Sequence, residues 1–267
     1  FSVLGPMGRT VDDAYMLLKA QAGSDPHDPF STAPVTDLDS PLEQADLGSI
    51  RAMITPDLGS AAMSHAYSSI FADRTSHFRQ YFAAAIDASP DFTDGDNCFE
   101  VLRGVNFVAA HGGRVRDHRD SLSPNVVDNV DRGLAYSLAD VAEAHLQQSR
   151  IARAWLDLFE DIDVVICPAA SSTPFPHDQW SVSEIDGETM ETYMRWLGIT
   201  YLPTMALACG IALPCGLDQA GMPFGIQVLS APGNDRLVAE VAKALESVLQ
   251  CHDATRRPLP DLDSLRG

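Results

Sequence analysis

The stretch DIDVVICPAASSTPFPHD, residues 161–178, decides the fold class. Val164 to Cys167 form an apolar run with no polar alternation, the pattern of a short strand covered on both faces. Pro168 and the Pro- and Ser-rich residues that follow end the strand in a loop. A strand of this kind requires helices on either side, and both flanks supply them. Upstream, Ser137 and Asp140 have capping-box spacing, and Val141, Ala144, Ile151, Ala152, Trp155, Leu158 and Phe159 trace an apolar helical stripe as far as Asp161. His145 lies close to that stripe and is expected to be a partly buried packing residue. Downstream, a helix is predicted near 188–198. Two short strands follow, IALPCGL (211–217) and PFGIQVLS (223–230), joined by a hairpin-type turn over Asp218–Gly221. Asp235 opens a final helix with the stripe Leu237, Val238, Val241, Leu245 and Val248.

The N-terminal half adds the remaining elements. In GPMGRTVDDAYMLL (5–18), Thr10 and Asp13 have T-x-x-D spacing, and Val11, Ala14, Tyr15, Leu18 and Ala22 share one helical face. Residues 23–43, rich in Pro, Asp and Ser, are predicted to form a surface loop in which His27 is solvated. SIRAMITPDLG (49–59) predicts a buried strand from Arg51 to Thr55, ended by Pro56 and Gly59. Residues 60–90 are expected to be helical up to Ser89-Pro90, and residues 97–111 to form a helix capped by the glycines of HGG. Helices thus alternate with short buried strands. The predicted architecture is α/β, a mixed central sheet covered by helices, in a single domain over 1–267.

Composition narrows the function. The 267 residues carry 37 acidic and 18 basic side chains, a formal charge of −19 that would repel a phosphate backbone, so nucleic acid is not an expected partner. No run approaches the ~18 apolar residues of a membrane-crossing helix, and no membrane partner is expected. Five cysteines with no CxxC spacing argue against a disulfide framework or a zinc site, and favour a reducing, cytoplasmic location.

The residues alone close no catalytic constellation. HGGR (111–114) has the letters of an esterase oxyanion loop, but no G-x-S-x-G elbow follows it. The histidines lack metal-ligand spacing. Cys167, with His177 and Asp178 nearby in sequence, lies in an apolar strand with no cation to lower its pKa. Ser171 and Ser172 have no glycine-rich frame. Lys19 and Lys243, the two lysines, fall on the flank and the polar side of their helices, and Lys243 is expected to be a solvated surface charge.

Three stretches, in order, resemble the amidase signature family of serine amidohydrolases. GPMGRTVDDAYMLLKAQAGSDPHDP (5–29) is similar to the family's G-P-M-x-R-T-V-x-D-x-A-x-L-L and the loop after it. DVVICPAASSTPFPHD (163–178) resembles its strand and loop D-V-L-L-x-P-T-x-x-x-P-x-F-P. LPCGLDQAGMPFGIQVLSAPGNDRLVAEVAKALE (213–246) resembles its P-x-G-x-D-x-x-G-x-P-x-G-x-Q ending and last helix. The resemblance implies an amidase that hydrolyses a carboxylic amide with a Ser-cisSer-Lys triad and no metal or organic cofactor. All three triad residues precede the GPM segment in the family, so this chain is expected to be the C-terminal part of the domain, incomplete on its N-terminal side. It would hold no catalytic residue and be inactive alone. Its expected partners are the N-terminal half of the same protein and a small amide, and a homo-oligomer is compatible with the resemblance. Severed from that half, the piece is expected to be poorly stable or to self-associate through exposed sheet and core surface.

The family's acyl-pocket wall maps to Ala169–Thr173 and Trp196–Cys209. Ala170, Ser171, Trp196, Tyr201 and Thr204 are the substrate-contact candidates, although packing of a helix on the sheet would account equally well for the last three. TYLPTMALACGIALP (200–214) departs from the family's Y-x-x-P-x-N-L-A-G-x-P-A. Thr204 stands at the Asn place, Leu207 at the Gly and Cys209 at the Pro. A Thr offers only a hydroxyl where Asn presents a donor and an acceptor. Two other functions fit the same scaffold: the amidase subunit of a tRNA-dependent amidotransferase, against which the altered stretch counts, and a non-catalytic assembly module.

Overall fold

A computed structural model describes residues 4–28 and 37–259. Residues 29–36 of the predicted 23–43 loop lie outside the described residues, as do 1–3 and 260–267. Strands β1 (Arg51–Ile54), β2 (Ala84–Asp87), β3 (Val164–Pro168), β6 (Cys209–Leu217) and β7 (Pro223–Ser230) form one mixed sheet in the order β2-β1-β3-β7-β6. β2, β1 and β3 are parallel, and β7 pairs antiparallel with both β3 and β6. All five residues of β3 are buried, as its unalternated sequence predicts. β4 (Glu184–Ile185) and β5 (Glu188–Thr189) make a separate small hairpin.

Two apolar clusters cover the sheet. On one side α1 (Val11–Gln21), α2 (His65–Ser76) and α7 (Asp235–Gln250) bury Val11, Tyr15, Tyr67, Phe71, Val241 and Leu245 with Val164, Ile166, Ile226 and Val228. On the other, α3 (Gly95–His118), α5 (Leu138–Leu158) and α6 (Gly198–Met205) bury Phe99, Leu102, Ile151, Trp155, Ile199 and Leu202 with Met53, Val165 and Cys167. Alternate residues of β3 thus feed opposite cores.

The predicted caps form. Thr10 accepts a hydrogen bond from the Asp13 amide at 3.1 Å. Ser137 and Asp140 cap α5 reciprocally, at 3.2 Å and 2.8 Å.

Several expectations are corrected. Residues 60–90 are not one helix: α2 ends at Ser76 and the chain returns as the edge strand β2. Its alanines favour a helix intrinsically, but backbone pairing with β1 decides. HGG does not cap α3, which continues to His118 to bury Val115, with Gly112 and Gly113 inside it. A helix that the sequence did not predict, α4 (Pro124–Ala135), crosses α3 where Gly104 meets Gly133: a Cβ on Gly133 would collide with the Gly104 carbonyl, and one on Gly104 would stand 3.0 Å from the Gly133 Cα. The helix expected near 188–198 lies later, at 198–205, because Glu188 and Thr189 are taken by the small hairpin. His145 is exposed, not packed. Lys243 is half-buried rather than solvated, and its ammonium donates to Asp12 and to the Leu42 carbonyl, both at 2.8 Å.

Candidate functional site

The loop after β3 and helix α6 come together at the C-terminal ends of the parallel strands. The Ala169 amide donates to Gly225 O at 2.9 Å, and Ser171 O accepts from the Ser64 amide at 2.9 Å, which fixes the loop between β7 and the start of α2. Ala170 is half-buried against the core. Ser171 is fully buried, with no hydrogen-bond partner for its hydroxyl among the described residues. The Gln227 amide, projecting from β7, donates to Pro168 O at 3.1 Å and to Ile199 O at 2.8 Å. One side chain therefore clamps the exit of β3 to the first turn of α6. Gly198 allows that turn to sit against Ala61, where a Cβ would stand 3.2 Å from the alanine.

The three candidates from 196–204 do not share one surface. Half-buried Trp196 donates from its indole nitrogen to Tyr193 O at 2.9 Å and meets Phe175 edge-on at 5.4 Å, so it lies beside the loop after β3. Tyr201 turns to α3. It is buried, stacks on Phe99 at 3.9 Å, and its hydroxyl donates to the Asp96 carboxylate, which also pairs with Arg195 at 2.8 Å. Burial, reinforced by the Asp96 charge, holds the Tyr201 phenol well above its ordinary value. Thr204 returns its hydroxyl to Tyr201 O at 2.6 Å, within its own helix. Asp96, Arg195 and Gln227 were not among the residues singled out from the sequence. Gln227 was signalled, as the Q of the P-x-G-x-Q pattern. Asp96 was not, since an acid in the first turn of a helix is commonplace.

Among the described residues the arrangement offers no activated nucleophile. Burial lifts the Cys98 thiol to about 11 and those of Cys209 and Cys215 to about 12, and pushes Cys167 up further. Lys243 is held by Asp12, and Lys19 donates to Asp39 O at 3.0 Å, both on the α1–α7 side. Among the described residues no three His, Cys, Asp or Glu side chains are grouped to hold a metal.

Residues 118–239 match the Amidase family model. Over that span the chain is similar to amidases. An acylamidase of Rhodococcus erythropolis is 24% identical over 91% of this chain and 52% of its own length. A glutamyl-tRNA(Gln) amidotransferase subunit of Anaeromyxobacter sp. (strain K) is 26% identical over 92% of this chain and 54% of its own. The crystal structure of a bacterial aryl acylamidase of the amidase signature family superposes with a TM-score of 0.76 at 16% identity, over 90% of this chain and 51% of that one. The mixed α/β fold is thus that of amidase signature structures, and the chain spans about half the length of the curated relatives it matches.

Leu207, at the family's glycine place, has φ of +56° and is 66% exposed. A left-handed residue is what glycine supplies without cost, and Leu207 keeps the conformation without the glycine. Cys209, at the family's proline place, opens β6 and aims its thiol at Ala231 O, 3.1 Å away.

Proposed function

We propose that the protein to which these residues belong hydrolyses a carboxylic amide, and that this chain forms the non-nucleophilic wall of the acyl site. The observation that carries the reading is the clamp made by Gln227: it joins the loop after β3, with Ala170 and Ser171, to the helix that follows Trp196, at the parallel ends of the strands. In open sheets of parallel strands that edge is the usual place for a ligand.

The nucleophile would be a serine activated by a cis-Ser and an unprotonated Lys, all outside residues 1–267. Attack on the amide carbonyl gives a tetrahedral intermediate whose oxyanion is held by backbone amides near that serine. Its collapse expels the amine, and water then releases the acid from the acyl-enzyme. Ala170 and Trp196 contact the acyl group, whereas the buried Ser171 holds the loop, and Tyr201 and Thr204 hold α6, in place behind it. No metal or organic cofactor enters this chemistry. The unpaired cysteines support a reducing, cytoplasmic setting.

Amide hydrolysis by the whole protein tests the reading. Release of an arylamine or an acyl product from simple amides supports it. Ammonia released from glutamine, and used only when partner subunits are added, would instead favour the amidotransferase reading. The similarity to the Anaeromyxobacter protein supports that second reading.

A further inference from the structure

Between the loop after β3 and α6 the chain makes an excursion, residues 172–194, anchored firmly at both ends and weakly between. At its start, Ala169 and Ser171 are tied to β7 and to Ser64. At its finish, Thr192 donates to Glu100 at 2.9 Å, and the Tyr193 hydroxyl accepts from Arg103 at 2.7 Å and from Asn129 at 2.9 Å, all three partners lying on α3 and α4. The middle buries Ile185 and Met190 in a small apolar cluster with Ala62, with Val182 and Trp196 packed against it, separate from both main cores. Trp180 lies in it 81% exposed.

One polar contact joins the tip to the body. Asp186 and Gly187 form the β4–β5 turn with φ of +49° and +89°, and that turn aims the Asp186 carboxylate at the first turn of α2. It accepts the His65 amide at 2.6 Å and lies 3.1 Å from the His65 ring nitrogen Nδ1. Ser64 already accepts the Tyr67 amide at the same helix end, so the carboxylate serves a donor that the N-cap does not.

We propose that residues 174–191 are a hinged flap, latched shut by Asp186 on the N-terminus of α2, whose release uncovers Trp196, which packs against the flap's small cluster. The hinges are the two anchored ends. The latch and the three-residue cluster are what hold the flap closed. That it gates an acyl site rests on the amidase reading; the flap itself does not.

Hydrogen exchange of the full chain, followed by mass spectrometry of peptides, tests the flap directly. Asp186→Gly removes the carboxylate and keeps the left-handed turn free of strain, whereas Asp186→Asn retains an acceptor oxygen. Exchange over 183–190 is expected to rise roughly 10- to 100-fold in Asp186→Gly. It should rise much less in Asp186→Asn, with β7 and α7 unchanged in both. Equal exchange over 183–190 in Asp186→Gly and the parent would overturn the latch. So would a rise matched in β7, which would mean that the segment opens only with the whole domain. Should Asp186→Gly not fold, Ile185→Ala, which weakens the small cluster, must give the same selective rise for the flap to stand. These outcomes judge the flap whether or not the protein hydrolyses amides.

Discussion

The Tyr201 hydroxyl donates to the Asp96 carboxylate across 105 residues of sequence, joining α6 to the first turn of α3. With Arg195 on the same carboxylate and Phe99 stacked on the phenol, four side chains fix the helix that backs the proposed acyl wall. Tyr201→Phe keeps the stack and removes the donor. It is expected to cost about 1.5–3 kcal/mol in urea unfolding, the range for a hydrogen bond to a charged group. A loss within experimental error would mean that the ion pair with Arg195 alone satisfies Asp96.

Gln227 is the second test of the same geometry. Gln227→Leu preserves bulk but leaves the Pro168 and Ile199 carbonyls without this donor. Destabilisation of about 1–3 kcal/mol is expected. On the proposed function, KM of the whole protein for its amide should also rise, because the loop after β3 and α6 are no longer clamped together. An unchanged stability and KM would remove the clamp from the account.

Leu207 predicts a gain. Its left-handed backbone costs a branched, exposed side chain about 1 kcal/mol, and little packing is lost on truncation. Leu207→Gly should raise the urea midpoint by an amount corresponding to about 0.5–1 kcal/mol. A destabilised variant would show that the leucine side chain contributes contacts that outweigh the strain.

Alkaline pH should weaken the fold through its thiols. Burial raises Cys98 from 9.0 to about 11, and Cys209 and Cys215 from 9.0 to about 12. The folded state therefore holds these protons more tightly than the unfolded chain. The stabilisation is complete below pH 9 and is lost as pH rises through 11 to 12. Thiol titration of the native protein at neutral pH should modify Cys251, the exposed cysteine, well ahead of the four others. Rapid modification of Cys98 or Cys215 under native conditions would contradict their burial.

How much of this could be read in the sequence depended on where the signal lay. β3 was legible because a doubly covered strand needs a continuous apolar run, and α5 because its cap and stripe agree. β2 was not. An exposed edge strand of Ala84, Ala85, Ile86 and Asp87 has no alternation, and only its pairing with β1 makes it a strand. Gly112 and Gly113 suggested an end to α3, yet helix packing beyond them, at Val115, carries it on. Within the site, Ala170, Ser171 and Trp196 lie on or beside the loop after β3, Trp196 through its edge-on contact with Phe175. The roles of Asp96 and Arg195 come from contacts with Tyr201, on elements that the sequence order keeps far apart.

The most direct test of the central claim is fluorophosphonate labelling of the protein as isolated from its source, with the labelled serine located by peptide mapping. The account predicts one labelled serine, lying outside residues 1–267, and protection of that serine by an amide substrate. Label on Ser171, Ser172 or any other serine of this chain would contradict the assignment of these residues to the wall. Absence of label altogether would contradict the amidase reading itself.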